Sequence, residues 1–184
     1  VPRRYFSLDE ARTLIPRIRT QLGTALQLHA HLRAAIADLD GDEGTITFGM
    51  LRGEEELDDA DDDEAAILER ARLLYSALRE TVEGIEATGA EVKGVVDGLV
   101  DFYSWKDGTD EVLLCWKLGE SDITHYHDLE GGFEQRRSLG GHRFLPNQTS
   151  ADATTANPAP PTPSPTTAGV PDLGTSEPRP SKLG

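Results

Sequence analysis

"GLVDFYSWKDGTDEVLLCWKL", Gly98 to Leu118, holds two apolar runs of strand length around a single turn signal, Asp107-Gly108. An Asp-Gly pair supplies the positive φ angles that a tight hairpin demands, so the stretch predicts two antiparallel strands. In the second run Val112, Leu114 and Trp116 share one face, while Leu113 and Cys115 share the other. Both faces are apolar, so this strand is expected to be central, with its second face closed by a terminus or another subunit. "SDITHYH", Ser121–His127, follows the Gly119 turn as a third strand.

Upstream the period changes from two to 3.6. Leu8, Ala11, Ile15, Ile18, Leu22, Ala25, His29, Leu32, Ile36 and Leu39 recur at spacings of three and four, the seam of one long helix of about 45 Å. Ser7 is its expected N-cap, with Glu10 placed to complete a capping box. Pro16 inside the seam predicts a kink, or a short first helix abutting a longer one. A second helix begins in "DDADDDE" and carries Leu68, Ala71, Tyr75, Leu78, Val82 and Ile85 on one stripe, with Gly89 as terminator. The expected fold is therefore α+β: a long antiparallel helical hairpin packed with a small three-stranded antiparallel sheet.

Of the 184 residues, 1–145 read as a single domain, with an acidic loop at about 40–62 between the helices. From Pro146 to Gly184, nine of the eleven prolines stand among Thr, Ser, Ala and Gly. Such a composition buries too little to offset chain entropy, so a disordered tail is expected. The formal net charge is −15, and residues 42–64 hold eleven acids against one arginine. That distribution disfavours nucleic acid. "DLDGDE" mimics the start of a calcium loop, but Glu43 stands where the turn glycine belongs and Gly49 where the bidentate carboxylate belongs. No run of eighteen apolar residues argues for a membrane, and a cytoplasmic location is the expectation. One cysteine, Cys115, excludes an intrachain disulfide or a cysteine cluster; on a doubly covered strand it is expected to be a buried hydrophobe rather than a reactive thiol.

"YFSLDEARTLIPRIR" near the start, and "EVKGVVDGLVDFYSWKDGTDEVLLCWKLGESDITHYHDLEGGFEQRRSL" from Glu91 to Leu139, resemble the DUF2203 family of small bacterial and archaeal proteins. The resemblance spans residues 5 to 139. Its pattern singles out Asp101, Phe102, Cys115, Trp116, Leu118, Gly119, Glu120, His127, Asp128, Gly132 and Phe133. Tyr103 stands where the pattern has proline, Tyr126 where it often has tryptophan, and the position of His125 is not fixed as histidine. The resemblance implies a fold and supplies no reaction.

Chemistry concentrates in "DITHYHDLEGGFEQRRSL", Asp122–Leu139. On a strand His125 and His127 point to one side, about 7 Å apart at Cβ, and with Glu130 or Glu134 they can enclose zinc, manganese or iron. A wider cluster of interest is His127, Asp128, Glu120, Asp101 and Arg136. In the plain polar reading His127 is hydrogen-bonded to Asp128, Glu120 or a backbone carbonyl, and Arg136 and Arg137 are paired with acids. No complete catalytic set stands out, so the expectation is a non-enzymatic protein without a cofactor, acting by self-association as a homodimer or by protein binding. The alternative is a metal-dependent enzyme of the hydrolase kind, centred on His127.

Overall fold

In the computed structural model, the described residues are 3–40, 46–57 and 60–149. Helix α1 (Leu8–Asp40) opens on the expected box: the Ser7 amide donates to Glu10 Oε2 at 2.8 Å, and the Glu10 amide donates to Ser7 Oγ at 3.3 Å. It runs unbroken through Pro16, so the alternative of two abutting helices is not the one adopted. One missing amide bond is tolerable because Ala11, Ile15, Ile18 and Leu22 on the same stripe are all buried. A short α2 (Phe48–Arg52) lies within the acidic connection, capped by Thr47 and ended by Gly53 at φ 75°. Helix α3 (Asp62–Glu86) starts on a full capping box, Asp61 with Glu64. Helices α1 and α3 form the hairpin. Its distal half encloses a small cluster of Leu32, Ala35, Ala71 and Leu51.

The sheet has six strands, not the expected three. They are β1 (Glu91–Gly94), β2 (Leu99–Lys106), β3 (Asp110–Lys117), β4 (His125–Asp128), β5 (Arg137–Ser138) and β6 (Phe144–Leu145). The order is β1-β2-β3-β4-β5, with β6 pairing the end of β2, and every pairing is antiparallel. Strands β2, β3 and β4 are those legible in the sequence. The three additions are edge strands of two to four residues, too short to show a period of their own.

Val100, Phe102, Val112, Leu114, Trp116 and Tyr126 face the helices and form the main core with Phe6, Ile18, Leu22 and Ile85. The opposite face is covered by this chain's own residues. Tyr5 stacks on Trp105 at one end, and residues 129–136 fold over the other, where Gly131, Gly132 and Phe133 line one cavity with Asp101, Cys115 and His127. Among the described residues no helix is long and apolar enough to cross a membrane. Of the segment expected as a tail, 146–184, residues 150–184 lie outside the described residues. The described contacts extend to Thr149, whose amide donates to the Gly108 carbonyl at 3.0 Å.

Candidate metal centre

The site follows from strand register. Between β2 and β3, Asp107 and Gly108 both take positive φ, 53° and 80°, and the Thr109 amide closes the turn on the Lys106 carbonyl at 3.1 Å. Lys106 nevertheless pairs with Asp110, leaving Thr109 as an extra residue, and that register sets Asp101 opposite Cys115. On β4 the partner of Cys115 is His125, and the partner of Leu113 is His127. Directly opposed residues share a face, so Glu91, Asp101, Cys115 and His125 form one row across four strands. Strands β2 and β4 lie about 10 Å apart across β3. Asp101 and His127 bridge that gap side chain to side chain, above the small Cys115.

The resulting cluster is dry and close. Asp101, Cys115 and His127 are each about 2 % exposed, and one ligating atom from each lies within 4.8 Å of the other two. Among the described residues this is the group of three or more His, Cys, Asp or Glu that comes so close. His127 Nδ1 donates to the Asp128 backbone carbonyl at 2.8 Å, which leaves Nε2 pointing at Asp101 Oδ2, 3.2 Å away. Both ring nitrogens thus face oxygen acceptors, so the second contact needs a proton or another electrophile between nitrogen and oxygen. The Asp101 hydrogen bond raises the imidazole pKa above its ordinary value, against the opposing effect of burial. The other carboxylate oxygen, Asp101 Oδ1, is buried and accepts no N–H or O–H hydrogen bond; the weak Cys115 S–H donor is the polar group that interacts with this carboxylate. Burial first, and then the charge of Asp101, push the Cys115 thiol up to about 12. The thiol is therefore unreactive as it stands, as expected of a buried cysteine.

A cavity of about 260 Å³ opens above this floor, lined also by Lys93, Leu99, Gly131, Gly132 and Phe133. Its roof is held down at both ends. The Gly131 amide donates to the Asp128 carbonyl at 2.8 Å, and a Cβ at Gly131 would stand 3.1 Å from that oxygen and 3.4 Å from His127 Cβ. Glycine therefore lets the backbone lie directly on the histidine. At the far end Arg136 donates to Glu120 Oε1 at 2.8 Å and stacks on Phe133, 3.7 Å from the ring centroid. Glu120 Oε2 in turn accepts from the Lys117 amide at 2.9 Å, tying the roof to the end of β3.

Of the residues singled out in the sequence, Asp101 and His127 meet, and Glu120 with Arg136 forms the roof latch. Asp128 contributes its backbone carbonyl to the site, while its side chain pairs outward with Arg137. The metal set drawn from neighbours in sequence is not the one brought together. His125 lies on the same face as Cys115, but its Nδ1 bonds Thr124 Oγ1 at 2.8 Å, and Glu130 and Glu134 are exposed. Cys115 takes the place of those groups. The resemblance pattern names all three among its residues without placing them together, and Cys115 is expected from the sequence only as a buried hydrophobe, apart from the other two.

No curated protein and no solved structure matches the chain. The profile of an uncharacterized conserved protein family, DUF2203, matches residues 4–139, a span that contains both helices of the hairpin, the floor of the site and its roof. The chain belongs to the DUF2203 family.

Proposed function

We propose that the protein binds one divalent transition-metal ion through Asp101, Cys115 and His127. The observation that carries this reading is the convergence of three buried ligating groups within 4.8 Å, with Asp101 Oδ1 accepting no N–H or O–H hydrogen bond. A buried polar atom left unpaired costs about 1–3 kcal/mol, and a cation at this point would satisfy it. Scale supports the same reading. Tetrahedral zinc, with ligand distances of about 2.0–2.3 Å, sets its ligand atoms about 3.3–3.7 Å apart. The Asp101–His127 contact of 3.2 Å already has that span, and the 4.8 Å bound leaves about 1 Å of side-chain movement to close the triangle. The metal would take the place of the Nε2 proton and convert the thiol to thiolate. The Asp128 carbonyl on Nδ1 fixes which nitrogen is offered. A mixed sulfur, nitrogen and oxygen set with a thiolate favours zinc or iron over manganese.

Zinc titration of the metal-stripped full chain by calorimetry tests this. One ion per chain is expected, with binding lost in Cys115→Ala and retained in His125→Ala. Equal zinc binding by wild type and Cys115→Ala would end the proposal.

Self-association is a second reading, favoured by two exposed apolar side chains. Phe48 and Leu73 are 68 % and 65 % exposed on neighbouring α2 and α3. A homodimer that buries them is checked by light scattering at micromolar concentration; a monomer mass throughout that range excludes it.

A further inference from the structure

We infer that the metal site is a receptor for a small organic monocarboxylate, with the carboxylate on the metal and its short apolar body held between Leu99 and Phe133. This rests on the metal reading and adds to it what fills the cavity. Three protein ligands leave a tetrahedral ion one position short, and sites of that kind keep the fourth for water or substrate. In this fold the open position faces the cavity, because the three ligands form its floor. The volume of about 260 Å³ is roughly nine water volumes at about 30 Å³ each, more than one coordinated water needs and less than a drug-sized ligand fills.

The lining chooses the chemistry. Two of the non-ligand walls are apolar, Leu99 and Phe133, and the roof at Gly131 and Gly132 presents no side chain. The roof amides are already committed, Gly131 to the Asp128 carbonyl and Gly132 to Gln135 Oε1 at 2.7 Å. They are not free to cradle a phosphate. The one charged side chain among the lining residues beyond the floor is Lys93, at the exposed rim. Lys117 and Arg136 add positive charge from behind, with Lys117 Nζ 4.6 Å from the Phe133 ring centroid. Glu91, 3.0 Å from Lys93, and Glu120 on Arg136 balance much of it. A rim so balanced suits a single negative charge better than a doubly charged phosphate. Apolar walls beside a cation and a metal describe an acid with a short hydrocarbon chain.

The test uses the full chain loaded with cobalt(II), whose visible absorption reports its coordination. Stoichiometric cobalt uptake, sensitive to Cys115→Ala, is read first and tests the metal site alone. Acetate, propionate, butyrate and inorganic phosphate are then titrated separately. Each added methylene is expected to tighten binding about fourfold, the ratio that corresponds to about 0.8 kcal/mol per buried CH₂, and phosphate is expected to bind more weakly than butyrate. Lys93→Gln, at an exposed position, should weaken butyrate by up to about fivefold while leaving cobalt uptake unchanged. Cobalt uptake followed by no spectral response to any carboxylate would overturn the inference and leave the metal site standing. A response equal for acetate, butyrate and phosphate would also overturn it, as adventitious anion coordination. Absence of cobalt uptake would overturn both.

Discussion

Asp101→Asn separates a metal ligand from a structural ion pair, because the two roles predict opposite outcomes without and with metal. In the metal-stripped chain the side chain keeps its shape, and Asn can donate from Nδ2 to His127 Nε2. His127 then sheds its extra proton and still donates from Nδ1 to the Asp128 carbonyl. A buried ion pair is replaced by a neutral hydrogen-bonded pair, a change that is often neutral or stabilising. Unfolding free energy should move by no more than about 1 kcal/mol. With zinc at about a thousand times its Kd, wild type should gain about 4 kcal/mol, or about 8–16 °C in Tm for a unit of this size. Loss of an anionic ligand that weakens zinc a hundredfold removes about 2.7 kcal/mol of that gain. The mutant should therefore shift by only about 3–5 °C. Thermal melts of both proteins, metal-stripped and zinc-loaded, give all four numbers. A stripped mutant weaker by 3–5 kcal/mol, with a wild type that ignores zinc, would refute the reasoning and leave Asp101 and His127 as a structural pair.

The stripped wild type should also lose stability relative to Asp101→Asn as pH rises. The folded pKa of His127 is raised, so its contribution is complete below about 6.5 and disappears as pH climbs through the folded value; chemical unfolding at pH 5.5 and 8.5 reads the difference, and a constant gap contradicts it. His127→Ala should cost the stripped protein about 1–3 kcal/mol and abolish the zinc shift. His125→Ala should stay within about 0.5 kcal/mol and keep it, and equal losses from the two would restore the pairing of His125 with His127. Native Cys115, with its thiol pushed up to about 12, should resist a disulfide reagent at pH 8 until the chain unfolds; rapid labelling of the folded chain would contradict its burial.

The hairpin, the capping box of α1 and three of the strands were legible because each is written in a local period or a local cap. The short strands β1, β5 and β6 were not, since their pairing is imposed by neighbours already in place. "EVKG" has one apolar residue on a strand whose outer row is Glu91 and Lys93, and neither β5 nor β6 exceeds two residues. The covered second face was foreseen, and at one end the N-terminal Tyr5 covers it as a terminus was expected to, but the loop over the other end was not foreseen. Residues 129–136 look like a polar loop in sequence, and only the glycine contact on His127 and the Arg136–Glu120 bond make them a roof.

The floor of the site turned on a single residue of register. A strict two-residue turn at Asp107-Gly108 would pair Lys106 with Thr109 and bring Asp101 opposite Leu114, on the helix-facing side. With Thr109 as an extra residue, Asp101 falls opposite Cys115, and a carboxylate joins the thiol on the outer face. A one-residue slip in a sheet moves every side chain to the other face, so the same letters describe either a buried charge in the core or a metal-ligand set. The core composition resolves the choice. Val100, Phe102 and Ser104 must then be the inward residues of β2, and all three are fully buried, with Ser104 Oγ donating to the Phe6 carbonyl at 2.7 Å. The opposite register would put Asp101 and Tyr103 into the helical interface and Phe102 outside it, at a cost no small domain sustains. The hydrophobic face of β2 thus dictates the three-residue turn, and that register brings Asp101 beside Cys115 and His127.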